Sequence, residues 1–370
     1  MTKAWYKIED INKIDSPSIV LYKERLLHNL QHMTSMTRRG LSRLMPHVKT
    51  NKMPKVIELM VTLGIKNFKT STIAEAEIAA GAGAEYILLA HQLVGPKFQR
   101  FCELLKHFQN VKFATIIDNP YTIKQLNNYA ATNHLKIDFF IDINSGMNRS
   151  GIKLGKELEL LIKAFPNYHS LVFKGFHVYD GHLRNIDFED RKHHIENEFN
   201  PVKTLFHKLK ETHPDIKLIC GGTPSFTTHI KEENRITSPG TCVLWDWGYA
   251  KKLKEQNFKY AALLITRVIS KPTNGIITID LGHKSVASEN PIHQRIKFLN
   301  LKDYQLISQS EEHGVLSVKN WKEINIGDVF YGVPYHICPT INLHDNVSVI
   351  SNEKLVDYWE ITARKRRLMF

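Results

Sequence analysis

Between about residue 16 and residue 247, short β-prone runs alternate with amphipathic helical runs, and this alternation constrains the fold more than any other feature of the chain. The patterning predicts strands over 18–22, 42–48, 67–70, 86–90, 112–117, 137–143, 172–178, 217–220 and 235–237. Amphipathic stretches over 54–63, 73–80, 98–108, 121–131, 155–164 and 187–212 lie between them. Strands that alternate with helices build parallel βα units. The run 18–22 precedes the first long helix and is set aside, which leaves eight strands in about 230 residues. That count matches a (β/α)8 barrel of the TIM type. An open doubly wound sheet is the alternative, but no GxGxxG follows the first strand.

After about residue 250 the texture changes. Strand-like runs over 261–270, 275–280, 304–307, 315–318, 329–331, 346–350 and 358–363 are separated by turn signals such as Pro272-Thr273-Asn274-Gly275, with no long helical pattern between them. The expected organisation is a barrel over 16–250 and a C-terminal β-domain over 251–370, with 1–15 a candidate addition to it.

The 370 residues are 42% hydrophobic and 24% charged, an ordinary globular composition. The net charge of +13 raises the question of an anionic partner. Its lysines and arginines are scattered, with one dense run at Arg364-Lys365-Arg366-Arg367. No zinc-finger spacing or aromatic–basic interleaving accompanies them, so a solvated basic surface is favoured over a nucleic-acid partner. Four cysteines stand far apart with no CxxC pair, the opening MTKAWYKIEDINK is polar, and no apolar stretch approaches a membrane span. A cytoplasmic protein with reduced thiols and no membrane partner is expected.

In a barrel of this type, function sits at the C-terminal ends of the strands. Those ends carry Pro46-His47-Val48-Lys49, then Asp142 with Asn144-Ser145-Gly146-Met147-Asn148-Arg149, then His177-Val178-Tyr179-Asp180-Gly181-His182. Gly221-Gly222-Thr223-Pro224-Ser225 and Ser238-Pro239-Gly240-Thr241 follow the last two strands. Loops in those two positions often bind phosphate through backbone N–H groups. Gly222 lets the backbone approach an anion, Thr223 and Ser225 add hydroxyls, and Gly240 and Thr241 repeat that chemistry one strand later. A phosphate pocket together with a strand-end lysine suggests pyridoxal phosphate. On an extended strand His47 and Lys49 share one side, which aims Lys49 into the mouth. Lys52 is worse placed, because Met53-Pro54 already begins a helix. An ordinary surface lysine is the competing reading of Lys49.

The motifs PHVKTNK, DINSGMNRSG, YDGH, GGTPS and SPGT, in this order, resemble those of the alanine-racemase-like, fold-type III pyridoxal-phosphate enzymes. The resemblance spans nearly the whole chain and is strongest to the D-threonine aldolase and D-serine dehydratase branch. It implies that Lys49 carries the cofactor and that Arg149 contacts the cofactor ring. Tyr179 joins Gly222, Thr223, Ser225, Gly240 and Thr241 as a cofactor-binding candidate. It also implies a homodimer and a small D-amino-acid substrate.

A second stretch, Pro334 to Asp345, reads PYHICPTINLHD. His336 and Cys338 are two apart, so on a strand both face one way and offer a two-point grip on a metal ion. Alone this is weak, since a buried histidine beside a core cysteine is commoner. The resemblance implies a divalent-metal site there, filled by zinc, manganese or magnesium. Its aldolases carry Asp at the second position and its dehydratases Cys, so Cys338 leans toward a dehydratase and toward zinc. YDGH and the residues after Cys338 lean toward an aldolase, in which His182 acts on the substrate hydroxyl. His177 is the rival base, and Asp180 is a candidate to orient His182. The leading expectation is a lyase that cleaves a D-β-hydroxy-amino acid to glycine and an aldehyde. A dehydratase giving a 2-oxo acid and ammonia stands second. An amino-acid racemase, for which Tyr331 or Tyr335 would be read as the second base, and a non-catalytic cofactor carrier stand behind both.

Overall fold

The computed structural model describes residues 4–37 and 40–370. Two compact units interleave along the chain. One comprises Met1–Met33, Thr50–Met53 and Thr241–Arg364, the other Thr34–Lys49, Pro54–Gly240 and Lys365–Phe370.

The second unit carries seven parallel strands, Asn67–Thr70, Tyr86–Leu89, Lys112–Ile117, Ile137–Ile143, Leu171–Val178, Lys217–Cys220 and Arg235–Thr237, paired in sequence order. Residues 42–48 were expected as the first strand and do not form one. Leu41–Arg43 and Val48–Thr50 are single 3-10 turns, and only Leu44 and His47 bridge, to Thr237 and Lys69. The reason is local: Pro46 has no N–H to continue a ladder. The segment still closes the barrel. Met45 N and His47 N donate to the carbonyls of Thr237 and Pro239 at 2.8 Å, and Lys69 N donates to Pro46 O at 3.0 Å. The stave between the last and first strands is therefore filled by a bent segment.

The helices between the strands start where the sequence supplies caps. Thr72 Oγ1 accepts from Glu75 N at 3.1 Å, and the Glu75 carboxylate accepts from Ser71 N at 2.7 Å, a reciprocal arrangement that satisfies two orphan donors. Asn119 caps Pro120–Thr132, whose proline needs no N–H partner in the first turn. Inside the barrel Met45, Leu88, Ala114, Ile116, Phe140 and Ile219 pack together. Truncating a buried phenylalanine such as Phe140 to alanine costs about 3–5 kcal/mol in such a core. The pairing of Ile137–Ile143 with Leu171–Val178 slips at Phe139/Phe140, opposite Gly175. Gly175 has φ +122°, and a Cβ there would stand 1.9 Å from Lys217 O, so only glycine fits. This bulge sets which side chains of the strand's last turn, His177 among them, face inward.

The first unit is built on a nine-stranded, mostly antiparallel sheet. Ser18–Tyr22 lies between Ala262–Thr273, antiparallel, and Asn346–Ser351, parallel. Its core gathers Val20, Tyr22, Leu263, Ile265, Val333 and Ile350. Ile296–Phe298, too short to show a period in the sequence, pairs with Val329–Pro334. The last strand runs over Lys354–Glu360, earlier than the expected 358–363. Among the described residues, no helix is long and apolar enough to cross a membrane.

Candidate active site

Lys49 belongs to the turn Val48–Thr50, so it does not share an extended strand with His47 as the pattern predicts. The turn nevertheless leaves both side chains on one cavity of about 390 Å³, together with Lys69, Arg149, His177 and Tyr179. Tyr179 is its centre. The Arg149 guanidinium lies 4.7 Å from the ring centroid, the Lys69 ammonium 5.5 Å and the Lys49 ammonium 5.7 Å. Small residues seat the ring, since a Cβ on Gly222 would come within 2.9 Å of it and one on Gly181 within 2.4 Å.

Asp142 anchors one wall. Its carboxylate accepts from His177 Nδ1 at 2.7 Å, Ser150 Oγ at 2.9 Å and Gln92 Nε2 at 3.0 Å. Burial opposes ionisation, but His177 and these hydrogen bonds outweigh it and hold Asp142 below the usual carboxylate range. Burial, reinforced by the Lys69 charge, holds His177 below the ordinary imidazole value. His177 is therefore neutral near pH 7, donates its Nδ1–H to Asp142, and keeps a buried Nε2 with no hydrogen-bond partner among the described residues. The loop that presents Arg149 is shaped by Asn144 Oδ1, which accepts from Gly146 N at 3.1 Å and Asn148 N at 3.0 Å.

The two glycine-rich loops are braced from within. Gly240 N donates to Thr223 Oγ1 at 3.1 Å, which ties one loop to the other. Ser225, expected as a donor to a bound anion, is fully buried and donates to Asp180 Oδ1 at 2.7 Å. His229 Nε2 donates to the other oxygen of Asp180 at 2.7 Å, and Arg235 donates to His229 Nδ1 at 2.9 Å. Arg235 in turn pairs with Glu196. Asp180 thus serves this brace and does not orient His182. Thr241 opens the other unit, where its hydroxyl lies 3.4 Å from Cys338 Sγ.

His182 has a different partner. Its Nε2 sits 2.9 Å and 3.2 Å from the two carboxylate oxygens of Glu198, and its Nδ1 is buried with no hydrogen-bond partner among the described residues. Glu198 escaped the sequence reading. It lies sixteen residues on, within Phe188–Lys210. The only available signal was its place beside the buried stripe Ile195, Phe199 and Val202. Gly146 covers the pair, since a Cβ there would lie 3.2 Å from His182 Nε2 and 3.3 Å from Glu198 Oε2. Lys69 was missed as well, and it is one of the cations about Tyr179.

In the other unit, His336 precedes the helical turn Ile337–Ile341 and Cys338 lies within it, so the pair does not share a strand. The change from strand to turn still leaves the two side chains close enough to interact electrostatically. Glu289 Oε1 meets His336 Nδ1 at 2.6 Å, and the Thr50 hydroxyl lies 3.2 Å from Cys338 Sγ. Burial opposes protonation of His336, but the contact and charge of Cys338, then Glu289, push it up to about 9. Among the described residues, no three His, Cys, Asp or Glu side chains converge as metal ligands. The pair offers one nitrogen and one sulfur donor, with a carboxylate holding the other ring nitrogen, as outer partners of metal-bound histidines do.

Residues 22–245 match the family described as "Alanine racemase, N-terminal domain", and residues 261–350 match "Putative serine dehydratase domain". The chain is 24% identical over 362 residues to the D-threonine aldolase of Arthrobacter sp, covering 96% of this chain and 94% of that one. It is 25% identical over 370 residues to the 3-hydroxy-D-aspartate aldolase of Paracoccus denitrificans (strain Pd 1222), covering 96% and 93%. The crystal structure of D-threonine aldolase from Filomicrobium marinum matches with a TM-score of 0.85 at 24% identity, over 97% of this chain and 98% of that one. The chain therefore belongs to the alanine-racemase-like family. Within it, the chain is similar over nearly its whole length to lyases named D-threonine aldolase and 3-hydroxy-D-aspartate aldolase.

Membership implies pyridoxal phosphate, and the residues fit it. The cavity ends in a primary amine, is lined by cations, and holds two buried polar atoms, Lys69 Nζ and His177 Nε2, with no hydrogen-bond partner among the described residues. Ser238 Oγ, in the loop after the last barrel strand, is a third such atom.

Proposed function

We propose that this chain is a pyridoxal-phosphate- and divalent-metal-dependent lyase that cleaves a D-β-hydroxy-amino acid, of which D-threonine is the type, into glycine and an aldehyde. The observation that carries the reading is the His182–Glu198 pair with its partnerless Nδ1. A carboxylate that accepts the Nε2 proton fixes the tautomer and leaves a lone pair on Nδ1, the arrangement of a general base.

Lys49 holds the cofactor through its amine. Arg149 and Tyr179 set the ring's position, and the loop with Gly222 and Thr223, tied to Gly240 and braced from behind by Ser225, receives the phosphate. Pyridoxal phosphate supplies the electron sink that makes bonds at Cα labile. His182 Nδ1 takes the β-hydroxyl proton. The O–H electron pair becomes the aldehyde C=O as the Cα–Cβ bond breaks, and a proton returned to Cα completes glycine. His336 and Cys338 would hold the metal, whose Lewis acidity lowers the barrier to losing a hydroxyl proton. The working form is taken to be a homodimer in a reducing cytoplasm, consistent with four free cysteines.

Cys338 favours a second reading. A thiolate–imidazole pair suits zinc, and the match of residues 261–350 to a serine dehydratase domain points the same way. One experiment separates the two. The protein is incubated with pyridoxal phosphate and zinc or manganese, and D-threonine and D-serine are offered separately. Glycine and acetaldehyde from D-threonine support the aldolase. A 2-oxo acid with ammonia makes it a dehydratase and removes His182 from its role. Cofactor bound without either product overturns both, in favour of a racemase or a carrier.

A further inference from the structure

Lys69 has no role in the mechanism above, yet it is the most unusual charged group in the barrel. It is 3% exposed, lines the cavity with Lys49, and its Nζ has no hydrogen-bond partner among the described residues. A buried ammonium is normally paired, because losing its water costs several kcal/mol. The carboxylates whose charges act on Lys69 are committed elsewhere. Asp142 already accepts from His177, Ser150 and Gln92, and Asp180 from Ser225 and His229. The other charged groups over the same Tyr179 ring are cations too, Lys49 and Arg149. His177 spends its proton on Asp142 and presents a lone pair at Nε2, so it cannot donate to an anion near neutral pH. Lys69 is thus a donor held against its own solvation preference, at a wall where no group among the described residues accepts from it.

We propose that Lys69 is an anion-binding residue of this cavity, its ammonium donating to a delocalised oxyanion of the molecule that fills it. The oxyanion is either the ring phenolate of the cofactor or the α-carboxylate of the substrate. The inference rests on the reading that this cavity houses both, though not on which bond is cleaved. Burial, then the Lys49 charge, pushes Lys69 down to about 7, against the pull of Asp142 and Asp180. An arriving anion reverses that balance and favours the charged form, so binding takes up a proton.

The test uses Lys69→Met and Lys69→Arg alongside the wild type. Cofactor affinity is measured on cofactor-stripped protein titrated with pyridoxal phosphate, by tryptophan quenching and growth of the visible band. Carboxylate affinity is measured on the cofactor-loaded protein titrated with propionate, by displacement of that band. Loss of one charge-assisted hydrogen bond corresponds to about a tenfold weakening or more. Weaker cofactor binding by Lys69→Met, restored in part by Lys69→Arg, assigns the phenolate. Unchanged cofactor binding with weaker propionate binding assigns the carboxylate. Both affinities within threefold of wild type overturn the proposal. Should Lys69→Met fail to fold, the wild type decides: one of the two affinities must strengthen as pH falls from 8.5 to 6, and two flat profiles overturn the assignment. None of these readouts depends on the products formed from D-threonine, so the aldolase reading and this one fail separately.

Discussion

Replacing Glu198 with glutamine tests the base most directly. The glutamate is acceptor-only and takes the Nε2 proton of His182 at 2.9 Å. Glutamine fills the same space but presents an NH2 group, whose best pairing with His182 is to donate into Nε2. That moves the imidazole proton to Nδ1 and removes the lone pair that is to receive the hydroxyl proton. A hydrogen bond to a charged group is worth about 1.5–3 kcal/mol. The two side chains are 27% and 33% exposed, so water competes and the lower end applies. At about 1.5–2 kcal/mol, kcat falls roughly tenfold to thirtyfold. KM for D-threonine stays within about twofold, because in this reading Glu198 touches His182 and not the substrate; neither side chain is among those that line the Lys49 cavity. Glu198→Asp retains an acceptor and recovers part of the loss. The assay follows acetaldehyde by coupled NADH oxidation, with the visible cofactor band checked first. A Glu198→Gln enzyme within twofold of wild type, beside a His182→Gln enzyme down about a hundredfold, refutes the tautomer argument and leaves His182 as base. If neither variant loses activity, the proton leaves through another group.

The remaining predictions concern the cofactor, the metal pair and acid stability. Lys49→Ala should abolish turnover and the visible band of the purified protein, while its melting temperature stays within a few degrees of that of cofactor-stripped wild type. Gly222→Ala forces a Cβ to within 2.9 Å of the Tyr179 ring, and cofactor affinity should fall at least tenfold at a stability cost of about 1–3 kcal/mol, read from equilibrium titration and denaturant melts. Cys338→Ala should strip bound metal, measured by elemental analysis, without lowering cofactor content. His177 is held neutral when folded, so its contribution is fully present above its unfolded value near 6.5 and is lost as pH falls through the lowered folded value. Asp142, also lowered, adds its loss only below about 3.8. Melting temperature should therefore drop between pH 7 and 5, and His177→Gln should flatten that slope; an unchanged slope assigns the acid sensitivity to other groups.

The sequence states the barrel clearly where each strand is one apolar run between turn residues. Asn67–Thr70, Lys112–Ile117, Ile137–Ile143, Lys217–Cys220 and Arg235–Thr237 lie where the pattern places them. It misleads where a local rule competes. Pro46 bends the first stave into bridges and turns, and the chain turns helical after His336, so alternation misdescribes both Lys49 and Cys338. Ser18–Tyr22 reads as a strand, but its neighbours begin more than two hundred residues away, and no local pattern names them.

The site shows a sharper division, and it follows from what a motif can encode. Lys49, Arg149, Tyr179 and Thr223 sit in loops whose composition is unusual, so they are visible in isolation. Lys69 and Glu198 are common residues in ordinary elements, and their meaning is relational. In the four-residue strand Asn67–Thr70 no alternation is long enough to say that Lys69 faces inward; only its bridge to His47, across the closing stave, fixes that. Glu198 gains its role because the loop after Leu171–Val178 folds His182 back onto the following helix, sixteen residues away. Glu198 therefore decides which nitrogen of His182 is free, and Lys69 places a buried amine on the wall of the Lys49 cavity. The sequence names the reacting groups, while the residues that orient and accompany them become visible only once the barrel has closed.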